Sequence, residues 1–404
     1  MPEFEYTARS ASGQLKRGTL VTRDEVDLER KLQERNLVLT SSAVRRKKLK
    51  AGGWLTKFQS VPMVQRMFFT QYLHVMIRAG FSIARALDTL AQQTNSKYFR
   101  TVIHEIRSDV EAGISFSKSL AKHPRVFSEL YVNMVAAGEA SGKLDEVLER
   151  LAEKMKKDHG LIAKVKGALT YPIIIIIVMI AVAILMTVVV IPKLSEIFAE
   201  SGSALPLATR ILIGFSNFLV HHGWLAVIAV IVLLAGLLRL VHTARGRSSV
   251  DGLLLRTPII GPIIQKISLA RFSRSLSSLL QTSIPIIDAF SIISRTMGNT
   301  RYRQALEQTG NSLKTGSSIA KNMGQFPRLF PPLATQMISI GEESGSLDTI
   351  AGELATFYED EVDQTMSNLS SIIEPILMLL LGLGVAGMAI SVILPIYSLA
   401  QQIG

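Results

Sequence analysis

The sequence predicts a mainly α membrane protein, with two homologous cytoplasmic helical-bundle lobes, three transmembrane helices and a small N-terminal α/β domain. Two observations carry this. The chain repeats itself without a gap at an offset of 203 residues, and three long stretches hold no charged side chain. The repeat is plainest where MVAAGEASGKLDEVLERL from Met134 meets MISIGEESGSLDTIAGEL from Met337. Residues 111–145 and 314–348 share 14 of 35 positions, where unrelated segments of ordinary composition would share about 2. The register holds far outside that window, pairing Phe69 with Phe272, Leu73 with Leu276, Gly113 with Gly316, Phe127 with Phe330 and Pro192 with Pro395. Solenoid units run to roughly 20–50 residues, so a period this long marks a duplicated domain.

Residues 1–44 read as the α/β domain. Phe4, Tyr6 and Ala8 alternate with polar residues as in a half-buried strand, and Ser12-Gly13 turns the chain toward a second strand near Leu15. Thr22-Arg-Asp-Glu25 resembles a capping box opening a helix to about Arg35, and a closing strand follows at residues 37–42. Residues 45–61 form a linker whose run Arg45-Arg-Lys-Lys-Leu-Lys50 precedes Ala-Gly-Gly. Such a run stays solvated or touches anionic lipid head groups.

The first lobe spans residues 62–168. Phe69, Leu73, Met76 and Ile77 recur at helical spacing until Ala79-Gly80 breaks the helix. Further helices are expected at about residues 83–93, 98–111, 115–122, 128–137 and 143–166. The second lobe, residues 265–371, repeats the pattern. The last helix of each lobe continues into, or kinks at, Pro172 or Pro375, membrane-entry prolines whose missing donor costs least near a span's start.

The uncharged stretches are residues 173–191, 211–238 and 375–404. A bilayer core takes roughly 20 apolar helical residues. His221 and His222 push the middle span beyond themselves, so the spans are 169–191, 223–241 and 372–397. Five lysines precede the first span within residues 152–166, whereas the connector 192–222 holds only Lys193 and Arg210. Arg239, Arg245, Arg247 and Arg256 accompany the cytoplasmic linker 242–264. Cytoplasmic loops carry excess Lys and Arg, so the N-terminus and both lobes face the cytoplasm, and an odd number of spans puts the C-terminus outside. No cleavable signal peptide is expected, because the first residues lack an apolar core. The net charge of +12 is read as topology and not as nucleic-acid binding, and the absence of Cys suits a reducing compartment.

One motif recurs in both lobes: Gly138, Glu139, Ser141, Gly142, Leu144, Asp145, and Gly341, Glu342, Ser344, Gly345, Leu347, Asp348. It reads as a helix stop and restart. Gly138 ends one helix in a left-handed conformation, Ser141 or Gly142 caps the next, and Asp145 complements its dipole. Glu139 and Glu342 have no role in such a turn and are expected to contact a partner or accept a hydrogen bond between lobes. The motif is not a phosphate loop: it has one residue too few between its glycines, follows a helix, and Lys143 becomes Ser346 in the repeat. No zinc-protease helix or nucleophile elbow is present, so neither an enzymatic activity nor a cofactor is expected. Small residues at Gly382, Ala386, Gly387 and Ser391 favour close helix packing in the third span. A small-solute transporter is the more remote alternative, since polar groups at mid-membrane are scarce. Matched segments also differ in charge: residues 134–171 hold seven basic and six acidic residues, residues 337–374 none and nine. Opposed surfaces of this kind can set partner choice and orientation, though solvated helix faces would look the same.

Taken together, the N-terminal unit, Phe69-Thr-Gln-Tyr-Leu with Ala79-Gly80, both Gly-Glu-x-Ser-Gly elements, Leu169-Thr-Tyr-Pro172, Ala270-Arg-Phe-Ser-Arg274 and Glu374-Pro375 resemble the PilC/GspF family. These are inner-membrane platform proteins of type IV pilus and type II secretion machines, and the resemblance covers essentially the whole chain. It implies a non-enzymatic platform that couples a cytoplasmic secretion or pilus ATPase to pilin or pseudopilin subunits, alongside other inner-membrane assembly proteins and as a homo-oligomer. Glu342-Glu-Ser-Gly-Ser-Leu-Asp348 and Tyr358-Glu-Asp-Glu lean toward the pilus branch over type II secretion.

Overall fold

The computed structural model describes residues 3–10, 15–22, 25–33, 37–44, 60–190 and 243–403, with residues 192, 214, 224, 225, 228, 229, 231–233, 235, 236 and 239. The chain divides into two compact units, Met1–Ser60 and Val61–Gly404.

In the first unit, β1 (Glu3–Ser10) lies between β2 (Leu15–Val21) and β3 (Leu37–Val44), antiparallel to both. A register shift between Thr7 and Ala8 bends the β1–β3 pairing. Helix α1 (Glu25–Gln33) supplies Leu32 to a small core with Ala8 and Leu37. The basic run at 45–50 lies outside the described residues.

The second unit is helical. Lobe one contains α2 (Met63–Arg78), α3 (Ile83–Gln93), α4 (Lys97–Glu111), α5 (Phe116–Ala121), α6 (Glu129–Ser141) and α7 (Leu144–Leu185), the last followed by a π-helical turn, Met186–Val190. After α8 (Ala244–Leu254), lobe two repeats the series as α9 (Ile260–Leu280), α10 (Ile286–Thr296), α11 (Thr300–Leu313), α12 (Ile319–Met323), α13 (Pro332–Ser344) and α14 (Leu347–Ile403). Serine caps recur because a β-region Ser Oγ can accept the otherwise orphaned N–H three residues on. Ser82, Ser96 and Ser128 do this for Arg85, Phe99 and Tyr131.

The duplication extends into the cores. Phe69, Phe99 and Phe127 form a ring cluster in lobe one, with Phe69 and Phe99 edge to face at 5.3 Å. Phe272, Tyr302 and Phe330 occupy the matching positions in lobe two, with Tyr302 and Phe330 perpendicular at 5.5 Å. Edge-to-face pairs at this spacing add to simple burial. Backbone conformation repeats too: Gly113 and Gly316 are both left-handed, and so are Gly142 and Gly345. At the position of Gly80 (φ +85°) lobe two has Ser283 at φ 60°.

Helices α7 and α14 run without interruption from lobe into span. At about 1.5 Å per residue, their 42 and 57 residues make rods of about 60 and 85 Å. Two described helices are long and apolar enough to cross a bilayer, within Leu144–Val189 and Leu347–Gly387. Their apolar stretches face outward, Ile177 at 59% and Leu379 at 65% exposure, as lipid-facing side chains would. Of the expected middle span, residues 224, 225, 228, 229, 231–233, 235, 236 and 239 are described, and all are helical. Pro172 and Pro375 lie at the fourth residue of the expected spans but well inside continuous helices. Each therefore leaves the carbonyl four residues earlier without its usual partner, a cost borne within a continuous rod.

Candidate functional site

The repeated junction between the fifth and sixth helices of each lobe is built differently from the turn the sequence predicts. Helix α6 does not end at Gly138. It continues to Ser141 and stops at Gly142, whose φ of 72° and ψ of 13° are left-handed. Lys143 N–H then donates to Gly138 O at 2.9 Å, closing the wide terminal loop typical of a glycine C-cap. Gly345 ends α13 in the same way, with φ 68°. Gly138 and Gly341 are buried helical residues that let the next helix approach. A Cβ on Gly138 would stand 2.9 Å from Val147 Cγ2, and one on Gly341 3.1 Å from Leu347 Cα. The positive φ belongs to the second glycine, and the first is required by close packing.

Ser141 caps nothing ahead of it. Its hydroxyl donates back to Ala137 O at 2.8 Å, and Ser344 bonds Ile340 O at 2.6 Å. These short side chains satisfy carbonyls of the last turn, the ordinary habit of a helical Ser. Asp145 and Asp348 do occupy the first turns of α7 and α14, where a carboxylate is favoured by the helix dipole.

The two glutamates find their partners inside their own lobes. Glu139 Oε1 accepts from Phe116 N–H at 2.6 Å and Oε2 from Ser117 N–H at 2.9 Å. Glu342 Oε1 accepts from Ile319 N–H at 2.9 Å, and its Oε2 from Ala320 N–H at 3.3 Å and Ser318 Oγ at 2.8 Å. Each carboxylate caps the short fourth helix of its bundle, α5 or α12, and ties it to the junction 23 residues on. The expectation that these residues bridge the lobes is corrected: the orphan N–H groups of a short helix in the same lobe take both oxygens.

The contacts between lobes lie elsewhere, in a seam the sequence marked only as a charge imbalance. Helices α6 and α7 of lobe one pack on α9, α10 and α14 of lobe two, and a single apolar core runs through both. Along α7, Lys157 Nζ lies 3.1 Å from Glu359 Oε2, and Lys164 pairs with Asp363. Glu359 also receives Arg274 Nε at 2.9 Å, so one buried carboxylate holds a cation from each lobe. Arg295 meets Glu129 at 2.9 Å, Arg150 donates to Gln281, and Arg271 approaches Asp158 at 4.0 Å. The acidic surplus of residues 337–374 is thus partly neutralised within the chain. A buried carboxylate with two cationic partners is the arrangement in which charge burial is best tolerated. Beside it, burial pushes the Tyr358 phenol up to about 12, so this ring stays neutral and serves packing.

The small residues expected to pack in the last apolar segment form no packed face inside the chain as described. A Cβ at Gly382 or Gly387 would meet nothing within 4 Å, and Ala386 is exposed; the side chain of Ser391 lies outside the described set. Among the described residues, no group of three or more His, Asp or Glu is close enough to hold a metal ion.

The family described as type II secretion system (T2SS), protein F, matches residues 69–192 and again residues 272–395, the same 203-residue offset. Residues 1–42 match the N-terminal domain of type II secretion system protein F. The type IV pilus assembly protein PilC of Myxococcus xanthus is 35% identical, covering 99% of this chain and 96% of its own. PilC of Thermus thermophilus is 35% identical, covering 99% and 98%. The type II secretion system protein F of Vibrio cholerae is 30% identical, covering 98% and 96%.

Proposed function

Because the chain belongs to the type II secretion system protein F family, we propose that it is a non-enzymatic inner-membrane platform of a type IV pilus assembly machine. In this role it couples a cytoplasmic ATPase to the insertion or extraction of pilin subunits. The observation that carries this reading is mechanical. Two lobes share one core and one ionic seam, and each continues as an unbroken helix into an apolar segment able to cross a bilayer. A displacement imposed on the lobes would reach the bilayer through rods, with no hinge loop to absorb it. Residues 62–168 and 265–371 serve as cytoplasmic docking lobes, and the spans, the middle one included, place them on one membrane face with the C-terminus outside.

The pilus branch is supported by the 35% identity to PilC proteins against 30% to a secretion protein F. The equivalent platform of a type II secretion system is the second reading, since the same family pattern serves both. The experiment is deletion of the gene in its own host, with pilin, ATPase and secreted proteins followed together. The pilus reading expects a full membrane pool of pilin, normal ATPase level and no surface filaments, with exoprotein release unchanged. Retention of exoproteins behind the outer membrane, with filaments intact, would instead establish the secretion branch.

A further inference from the structure

The seam between the lobes is not two-fold. Lobe one contributes α6 and α7, while lobe two contributes α9, α10 and α14. The lobe-one counterparts of α9 and α10 are α2 and α3, and these find their substantial contacts inside lobe one. The duplication therefore leaves two faces over: the α2 face of lobe one, and the α14 face of lobe two that corresponds to the seam side of α7.

Both left-over faces are dressed for contact. On α2, Val64, Phe68, Tyr72 and Val75 form an exposed stripe at 36%, 44%, 49% and 55%. They flank a groove of about 340 Å³ lined by Gln65, Phe68, Tyr72, Leu90 and Phe99. In lobe two the positions of Tyr72 and Val75 are Ser275 and Ser278, buried at 5% and 7%. On α14, Glu353, Phe357, Asp360, Gln364 and Ser367 recur at helical spacing and all are exposed. Their lobe-one counterparts are Arg150, Lys154, Lys157, Leu161 and Lys164, of which Arg150, Lys157 and Lys164 pair across the seam and Leu161 is buried.

Two polar pairs of the seam transpose into pairs of opposite charge with the sign reversed, while Lys164 with Asp363 maps onto Ser367 with Gly160. Arg150 with Gln281 inside the chain maps onto Glu353 with Arg78 between copies. Lys157 with Glu359 maps onto Asp360 with Lys156. Arg78, Lys156, Glu353 and Asp360 are all exposed. The operation can also be repeated in a membrane. The pairs Lys157–Glu359 and Lys164–Asp363 step along both helices in the same direction, so α7 and α14 run parallel. The rotation relating the lobes then lies along these helices, and applying it again sets a second copy beside the first in the same bilayer plane.

We propose that the exposed α2 face of lobe one receives the α14 face of lobe two from a second copy of this chain, a head-to-tail contact imitating the internal seam. It rests on the proposed function only in placing both lobes on one side of a bilayer.

The chain contains no Cys, which makes the test direct. Two differently tagged copies, one carrying Arg78→Cys and the other Glu353→Cys, are co-expressed in membranes and treated with a short bifunctional thiol reagent. The expected product is a species of twice the chain mass bearing both tags, with at least about fivefold less product from two Arg78→Cys copies. Arg78→Glu in one copy should lower pairing of a Tyr72→Cys and Phe357→Cys probe pair about two- to fivefold. Glu353→Arg in the other copy should restore it. The proposal is overturned if the mixed pair gives no product, if the Arg78→Cys homotypic pair gives as much, or if Arg78→Cys is captured instead by a thiol of another protein. Because the readout needs neither ATPase nor pilin, these results leave the platform reading to its own test.

Discussion

At the residue scale, the junction motif shows how local pattern and tertiary contact divide the work. Gly142 and Gly345 obey a local rule, a left-handed residue at a helix end, and the sequence carries that signal. Gly138 carries a similar local signal but answers to Val147, a contact made across a junction the sequence cannot fold by itself. Glu139 was legible as a residue without a turn role, yet its partners, the N–H groups of Phe116 and Ser117, are backbone atoms that leave no side-chain signature. The capping geometry makes Glu139→Gln a stability change. An amide offers one acceptor oxygen to two donors, so the loss should be about 1–2 kcal/mol, read as a lowered thermal midpoint in detergent. An unchanged midpoint with impaired assembly would make Glu139 a partner contact instead. Ser283 sits at φ 60° where lobe one has Gly80. Ser283→Gly should relieve that strain and raise stability by about 0.5–1 kcal/mol in the same assay.

At the scale of elements, helical periodicity located the lobe helices well, α3 at the bounds expected, because each lays an apolar face on one core. The end of the sixth helix was not legible. At Pro172 the sequence leaves open a helix that continues or one that kinks, and α7 continues through it to Leu185. The inter-lobe seam was visible only as a charge difference between two matched segments, and pairing Lys157 and Lys164 with Glu359 and Asp363 needs the tertiary arrangement. That pairing predicts an asymmetry between two substitutions. Glu359→Gln leaves Arg274 and Lys157 close together without their shared carboxylate, costing about 3 kcal/mol. Lys157→Met, with Arg274 still bound to Glu359, should cost about 1 kcal/mol or less. Denaturation of the two variants checks this, and equal effects would show that the seam does not depend on Glu359.

At the scale of the whole molecule, the duplication yields two lobes that are alike in fold and unlike in surface, joined so that their long helices lie parallel. The sequence made the repeat, the two outer spans and the family resemblance legible; the non-two-fold seam was not, because the two copies become different only through what covers them. Topology adds one prediction. A reporter active only in the cytoplasm, fused after Gly404, should be silent, and strong activity would contradict three spans. If the chain couples its partners mechanically with no chemistry of its own, reconstitution will show it. The purified chain in lipid vesicles should hydrolyse no ATP by itself and should raise the turnover of its cognate cytoplasmic ATPase several-fold. Intrinsic hydrolysis that persists after removal of every contaminating ATPase, or a cognate ATPase indifferent to the chain, would contradict the account.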